Sequence, residues 1–408
     1  MREVFSFWTG HPFDFELWVR TGYWVANGVS PYGVLPVVPG LSFADVYSSL
    51  GESTIGYLPF WPLILAGIYK VYVAVGFGNR FVYYFLLKQP IIIGDLLLGY
   101  TIFRYVRARR PETGEAMLSL WLLSPLTIII SSIWGMFDSL AMVCVVMALS
   151  VHRGTARSLW EALAIWIKSI PLIFAIPLAF SGSKSTRNLI ISLALPAALS
   201  AAAVLLLGWP ISSAIDTIES TATKGGQSLS VFGVLFFVSP FGQSSYPPLL
   251  LDALGLVWIP ALLVATFFAS RWFGFDTEKG LVQSLILCAA AFMLFKAQVN
   301  EQYSIYLLAL ILIDVGVWNP GRRRLYLAIT TVVLVFLVVN NGFFIRFVSP
   351  IDPLAVFTES QLDSSLGSIR FDILFACSVA FAALNLAYIV ALFRARRGAP
   401  QRTSPASS

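Results

Sequence analysis

The sequence predicts an all-α polytopic membrane protein: a helical bundle of about 10–11 membrane segments with external interfacial loops. Three observations predict it. Of 408 residues, 58% are hydrophobic and 12% charged, and mean hydropathy is +0.80. A soluble domain carries roughly 25% charged residues. Apolar stretches near the 20 residues that a membrane helix needs recur along the chain. Most of the 27 Lys and Arg fall in or beside short connections between those stretches. Together these exclude a soluble enzyme, a disordered chain and a large soluble domain on a single anchor. They also exclude a disulfide-stapled secreted domain, because Cys144, Cys288 and Cys377 each lie in an apolar run with no paired spacing.

The net charge of +6 and pI near 9.2 reflect topology. The basic groups are Arg104, Arg107, Arg109 and Arg110; Arg153 and Arg157; Lys184 and Arg187; Arg271 and Lys279; Arg322, Arg323 and Arg324; and Arg394, Arg396, Arg397 and Arg402. Basic residues in short loops mark the cytoplasmic side. A nucleic-acid partner would need them on one continuous face, so none is expected.

Residues 1–56 read as an external segment at the membrane–water interface, with Trp8, Trp18 and Trp24 among acids. No cationic stretch followed by an apolar run opens it, so no signal peptide is expected. The membrane domain covers 57–393 and a cytoplasmic tail 394–408. Apolar segments fall at 57–77, 84–106, 116–133, 136–151, 159–180, 188–209, 247–270, 280–296, 303–317, 325–345 and 371–393, with a shorter piece from Val231 to Val238. Segment 159–180 lies between two basic loops and is too short to cross twice. It reads as a broken, re-entrant pair of half-helices, the break helped by Pro171 and Pro177. Segment 57–77 holds Pro59, Pro62 and Lys70 and reads as interfacial or re-entrant.

Charges at bilayer depth are functional candidates by default. Lys88 and Asp95 lie seven apart on one helix face. Lys168 falls in the broken element, Asp138 at an outer helix end, and Lys296 and Glu301 at another. Asp14 and Glu16 stand in the external segment. The parity of the spans puts Asp14, Asp138, Gln298, Glu301 and Gln302 on the outer side. The two histidines, His11 and His152, give little for a metal site, and Asp14 with Glu16 lacks a third clear ligand. No metal is expected.

Four stretches carry a resemblance. Phe13-Asp14-Phe15-Glu16 is followed by Gly28-Val29-Ser30-Pro31-Tyr32 and Gly56-Tyr57-Leu58-Pro59. Lys88-Gln89-Pro90 comes with Asp95-Leu96-Leu97. Trp134-Gly135-Met136-Phe137-Asp138-Ser139 is the third. Lys168-Ser169-Ile170-Pro171 and Lys296-Ala297-Gln298-Val299-Asn300-Glu301-Gln302-Tyr303 make the fourth. In order and spacing they resemble the GT-C glycosyltransferases, a multi-span class that uses polyprenyl-phosphate sugars, and among them the mannosyltransferases like GPI mannosyltransferase I. Those relatives carry a span ahead of the first external loop, where this chain opens, and many carry His where it has Gln298.

The resemblance implies a GT-C-like bundle that moves a hexose, mannose, from a polyprenyl- or dolichyl-phosphate sugar to a glycan, lipid or protein acceptor on the external face, with inversion. It implies Asp14 as the base. Asp138 and Glu16 would orient the acceptor or the loop. A lipid-phosphate leaving group needs cationic donors: Lys88, Lys296 and Arg346, with Lys168 deeper. Gln298, Glu301 and Gln302 join the substrate site. No cofactor is implied, the lipid-linked sugar being a substrate. Short loops and the lack of a C-terminal retention signal point to a prokaryotic cell membrane. The competing class is a secondary transporter or lipid flippase, for which intramembrane Lys and Asp on broken helices also suit. A transporter should repeat its interrupted segment in its second half, and the element at 159–180 has no clear counterpart after 247.

The topology makes a direct prediction. Single cysteines at Ser220 and Ser364, in the 210–228 and 346–370 connections, should both react with an impermeant thiol reagent on intact cells. Protection of either one refutes the assignment of sides.

Overall fold

The computed structural model describes residues 2–43, 55–152, 154–182, 186–223, 228–237, 247–348, 350 and 352–397. Parts of the sequence reading fall outside them: residues 44–54 of the external segment, Lys184 in its loop, and the tail beyond Arg397. The described residues form an all-α polytopic membrane protein. In chain order the helices are α1 (Arg2–Ser6), α2 (Asp14–Ala26), α3 (Phe60–Val75), α4 (Arg80–Arg107), α5 (Gly114–Leu122), α6 (Pro125–Ile128), α7 (Asp138–Ser150), α8 (Gly154–Ile167), α9 (Ala175–Ala179), α10 (Thr186–Leu206), α11 (Ile211–Thr223), α12 (Val231–Phe237), α13 (Pro248–Gly255), α14 (Trp258–Trp272), α15 (Glu278–Phe295), α16 (Ser304–Val317), α17 (Arg323–Asn340), α18 (Ile345–Val348) and α19 (Pro353–Arg397).

All eleven apolar segments of the sequence are helical, but they differ in reach. Six described helices are long and apolar enough to cross a membrane, and the pair Pro111–Leu122 and Pro125–Trp134, bent by 50°, brings the number to seven. The others are short. At 1.5 Å per residue, α3 spans about 24 Å and α16 about 21 Å, against a hydrocarbon core of about 30 Å. Helix α16 is buried on every side through most of its length, so its apolar residues face protein and not lipid.

Local chemistry sets the helix ends. The Asn79 side chain accepts from the Phe81 N–H to start α4, and Arg104 and Arg107 close it, where cations suit the helix dipole. Thr277 caps α15 in the same way. Pro125 removes a backbone donor and gives the bend after α5. A π-helical turn at Ile129–Trp134 then ends on Gly135 in the left-handed region, φ 93°. A Cβ there would lie 2.9 Å from the Phe15 ring. Gly22 matters for closeness instead: a Cβ would meet the Tyr83 hydroxyl at 2.2 Å and the Leu65 carbonyl at 2.9 Å, so glycine lets α2 lie on α3 and α4.

The element at 154–182 is broken as expected, but ahead of and around Pro171 alone, and Pro177 lies within α9. Helix α8 ends at Ile167, Lys168 and Ser169 interrupt it, and a 3₁₀ turn at Ile170–Phe174 leads into α9. Arg157, in the first turn of α8, donates to the Ser181 hydroxyl just past α9 and to the Ala148 and Val151 carbonyls. The element therefore leaves from the end of the bundle at which it arrived, with Lys168 at its apex.

Side-chain pairs define two ends. At the basic end Arg109 forms a bidentate pair with Glu278, and the Thr113 hydroxyl donates to the Gly316 carbonyl. There Asp314 accepts from Arg322 at 2.8 Å, from the Tyr388 hydroxyl at 2.6 Å and from Asn319 at 2.9 Å, tying α16, α17 and α19 together. At the opposite end lie Asp14, Asp138, Lys168, Lys296, Glu301 and Asn340. Lys88 and Asp95 share α4 but not a partner. Asp95 pairs with Arg2 at 2.8 Å and accepts from Trp121 and Ser139.

Because Arg322 is buried, replacing Asp314 with Ala leaves a charge unpaired. Breaking such a pair costs about 3–5 kcal/mol. Thermal unfolding in detergent should show Asp314→Ala well below wild type, and Arg322→Met added to it should recover part of the loss. Equal melting of wild type and single variant would show that this network does not hold the three helices.

Candidate functional site

The N-terminal segment is held across the end of the bundle opposite the basic loops. Lys88, fully buried on α4, donates to the Thr9 carbonyl at 2.6 Å, the Thr9 hydroxyl at 2.7 Å and the Ser132 carbonyl at 2.8 Å. The His11 N–H donates to the Trp134 carbonyl. The His11 ring stacks on Trp134 at 5.1 Å and meets Phe347 edge-on. Its Nδ1 accepts the N–H groups of Phe13 and Asp14, so it starts α2 much as a capping side chain does. Nδ1 therefore carries a lone pair, and its 3.2 Å approach to Asp14 Oδ2 is a close contact and not an ion pair. Burial lowers the His11 pKa, against the opposing pull of Asp14, and Arg346 on α18 adds to the lowering.

Asp14 is the first residue of α2. Its Oδ2 accepts from Trp134 Nε1 at 2.9 Å, and Oδ1 has no hydrogen-bond partner among the described residues. The carboxylate lines a polar cavity of about 440 Å³ whose wall includes His11, Tyr57, Gln298, Glu301, Asn340 and Asn341. Glu301 Oε1 accepts from Asn340 at 2.7 Å and from Asn341 at 3.3 Å. Burial pushes the Glu301 pKa from its ordinary 4.5 up to about 7, and Asp14 nearby adds to the rise.

A second cavity, about 280 Å³ and mostly apolar, adjoins the first. Gly56, Tyr57 and Tyr303 line both. Its wall includes Ile173, Trp258 and Phe292, with Lys168 and Lys296 as its cations. Lys168 bonds Asp138 Oδ2 at 2.8 Å, both side chains buried, and the Tyr306 hydroxyl is turned toward the same carboxylate without meeting it in hydrogen-bond geometry. The rings of Phe137, Tyr57 and Tyr303 stand 4.8, 5.3 and 5.4 Å from the Lys168 ammonium. Lys296, the residue just past α15, has its ammonium 5.9 Å from the Trp258 ring. Beneath both cavities Trp61 stacks on Phe137 at 4.0 Å, and Trp18 donates to the Gly135 carbonyl.

The residues singled out from sequence therefore separate. Asp14, Gln298 and Glu301 share the polar cavity; Lys168 and Lys296 share the apolar one; Asp138 stands behind Lys168. Glu16, Lys88, Gln302 and Arg346 line neither. Glu16 is buried in an ion pair with Arg20 at 2.6 Å, and its other oxygen accepts from the Phe43 N–H, so it anchors the loop after α2. The Lys88 ammonium is fully engaged by Thr9 and Ser132, which removes it as a phosphate contact in this arrangement. Gln302 is buried. Sequence reasoning did not single out His11, Trp134, Tyr57, Tyr303, Trp258, Asn340 and Asn341 as site residues. The Asn pair was the available signal, two amides closing an apolar run. Among the described residues, no three His, Cys, Asp or Glu gather as a metal-ion ligand set.

The fold and site define a multi-span membrane protein with a polar chamber beside an apolar one at one end of its bundle. No protein-family model matches the chain. Over 175 residues it is 26% identical to the catalytic subunit of GPI alpha-1,4-mannosyltransferase I of Danio rerio. The match takes in 41% of this chain and 36% of that protein, so the chain spans little over a third of the relative's length.

Glu301 yields a pH test. An acid whose pKa is raised on folding binds its proton more tightly in the folded state, so stability falls as pH rises from about 4.5 through about 7. The whole effect is at most on the order of 3 kcal/mol. Glu301→Gln keeps the acceptor for Asn340 and cannot titrate. Its melting temperature should vary less between pH 5 and 8 than that of wild type and exceed it at pH 8. An unchanged pH profile in the variant would mean that another group titrates.

Proposed function

We propose that the chain is a membrane glycosyltransferase that moves a hexosyl group, mannose, from a polyprenyl-phosphate sugar to an acceptor hydroxyl. The observation that carries the reading is the meeting of the two cavities at Tyr57 and Tyr303. A lipid-phosphate sugar is apolar at one end and polar at the other, and so is this pair of cavities. The likeness to a mannosyltransferase catalytic subunit supports the sugar and the reaction class.

In this reading the prenyl chain and phosphate occupy the apolar cavity, with Lys296 beside the phosphate. The sugar crosses between Tyr57 and Tyr303 into the polar cavity, where Gln298, Asn340 and Asn341 offer amides to hydroxyl groups. The acceptor oxygen attacks C1 of the sugar as the C1–O bond to phosphate breaks. The phosphate takes the bonding electrons and Asp14 takes the acceptor's proton, so the anomeric configuration inverts. Trp134 Nε1 holds Asp14 Oδ2 and leaves Oδ1 for that proton. Lys168, locked to Asp138, contributes positive potential to the apolar cavity and holds the apex of the broken element in place. No cofactor is assigned, and the partners are the membrane lipid, the lipid-linked donor and the acceptor. We place the site on the external face of a prokaryotic cell membrane, on the side away from the basic loops.

The test is transfer of radiolabelled mannose from polyprenyl-phosphate mannose in membranes containing the chain. Asp14→Asn should lower turnover by at least ~10²-fold, the lower range for general-base catalysis, with melting temperature little changed. Lys296→Ala should raise the barrier on the order of 2–4 kcal/mol, whereas Glu16→Gln should reduce expression and melting temperature before it touches rate. Near wild-type turnover by Asp14→Asn would remove the base, and no transfer from any polyprenyl-phosphate sugar would remove the reading.

A further inference from the structure

On the opposite half of the bundle, a third cavity of about 600 Å³ lies between the bent pair α5–α6 and one face of α17. Arg323, Leu327, Thr331 and Leu334 line it from α17 at helical spacing, with Leu120 from α5 and Leu123 just past its end. The groove opens toward the basic end, where Thr113, just ahead of α5, bonds Gly316 near the end of α16, shortly before the chain turns into α17. The 50° bend at Pro125 brings α6 onto α17, so the groove lies between α5 and α17 and narrows toward the bend. From Arg323 to Leu334 the groove runs about 16 Å along α17, close to one leaflet's share, about 15 Å, of the hydrocarbon core. Leu123 is 76% exposed and Leu327 42%, so the apolar walls stand open to the surroundings of the bundle.

The cation at the groove's mouth points to the occupant. Arg323 is exposed at the basic end and forms no ion pair with a carboxylate among the described residues, while Arg322 beside it is held by Asp314. Ser124, at the bend, lines the groove, and its buried hydroxyl has no hydrogen-bond partner among the described residues. A groove one leaflet deep, apolar along its walls and cationic at its mouth, matches an anionic glycerophospholipid: the phosphate at Arg323, an acyl chain along Leu327 and Leu334 toward the bend. We propose that this groove is a binding site for an anionic phospholipid, separate from the two cavities around Asp14 and Lys296. With an acyl chain between α17 and the α5–α6 bend, the lipid would brace the elbow that leads into the Trp134 turn and so into the site.

Titration of the purified full-length chain with dioleoylphosphatidylglycerol or dioleoylphosphatidylcholine, followed by native mass spectrometry, counts retained lipid without reference to any transfer activity. Wild type should retain phosphatidylglycerol about tenfold better than phosphatidylcholine, the size of one charge-assisted contact. Arg323→Gln should abolish that preference, and Thr331→Trp, which fills the groove from its exposed wall, should reduce retention of both lipids. Glycerol phosphate, which lacks acyl chains, should not compete. Equal retention of the two lipids by wild type, a preference that survives Arg323→Gln, or competition by glycerol phosphate alone would overturn the assignment.

Discussion

A lysine ammonium cut off from water has to find oxygen, and at Lys88 the oxygens come from two parts of the chain that share no helix. Thr9 supplies a carbonyl and a hydroxyl, and Ser132 supplies another carbonyl. The cost of burying an unsatisfied ammonium is large, so this clamp fixes the N-terminal segment against the turn that carries Trp134. The rest of the polar cavity follows. With residue 9 fixed, His11 reaches the Trp134 carbonyl, its ring fits between Trp134 and Phe347, and its Nδ1 receives the first N–H groups of α2. Asp14 then lies where Trp134 Nε1 can hold one of its oxygens. Lys88 supports this chamber without lining it.

The second constraint is the break at Lys168 and Ser169. A continuous helix through 154–179 would carry the residues after Lys168 past Asp138, the first residue of α7. The break turns the chain back, and Arg157 secures the return by binding Ser181. Lys168 is left at the apex, where Asp138 is the nearest compensating charge. Three aromatic rings around the ammonium attract it by their quadrupoles, and with Asp138 they hold a cation beside an apolar cavity. The basic end shows the same economy: Arg322 is neutralised within the bundle by Asp314, while Arg323, one residue on, faces outward.

Much of this was legible in the sequence. The span-length apolar segments and the interruption of the element that holds Lys168 rest on local chemistry, whereas the caps Asn79 and Thr277 became visible only in the structure. The broken, returning element was readable because its flanking charges gave the same sign on both sides. The site was legible only in outline. Asp14, Gln298 and Glu301, grouped by the parity of the spans, line one cavity, yet Lys88 resembled them in sequence and serves a different purpose. A buried lysine and a substrate-facing lysine have the same neighbours along a helix, and they differ only in what lies across from them.

By itself the sequence determined that the chain is a helical membrane protein and where its apolar helices lie, because hydropathy acts within a few residues of its source. Only the tertiary structure decided which charges neutralise one another and which remain for chemistry. Glu16 is taken by Arg20 one turn away, Asp95 by Arg2 from 93 residues away, and Asp138 by Lys168 from 30 residues away. Asp14 is left with one bonded oxygen. That division depends on distances between helices, which packing sets and a linear pattern does not encode.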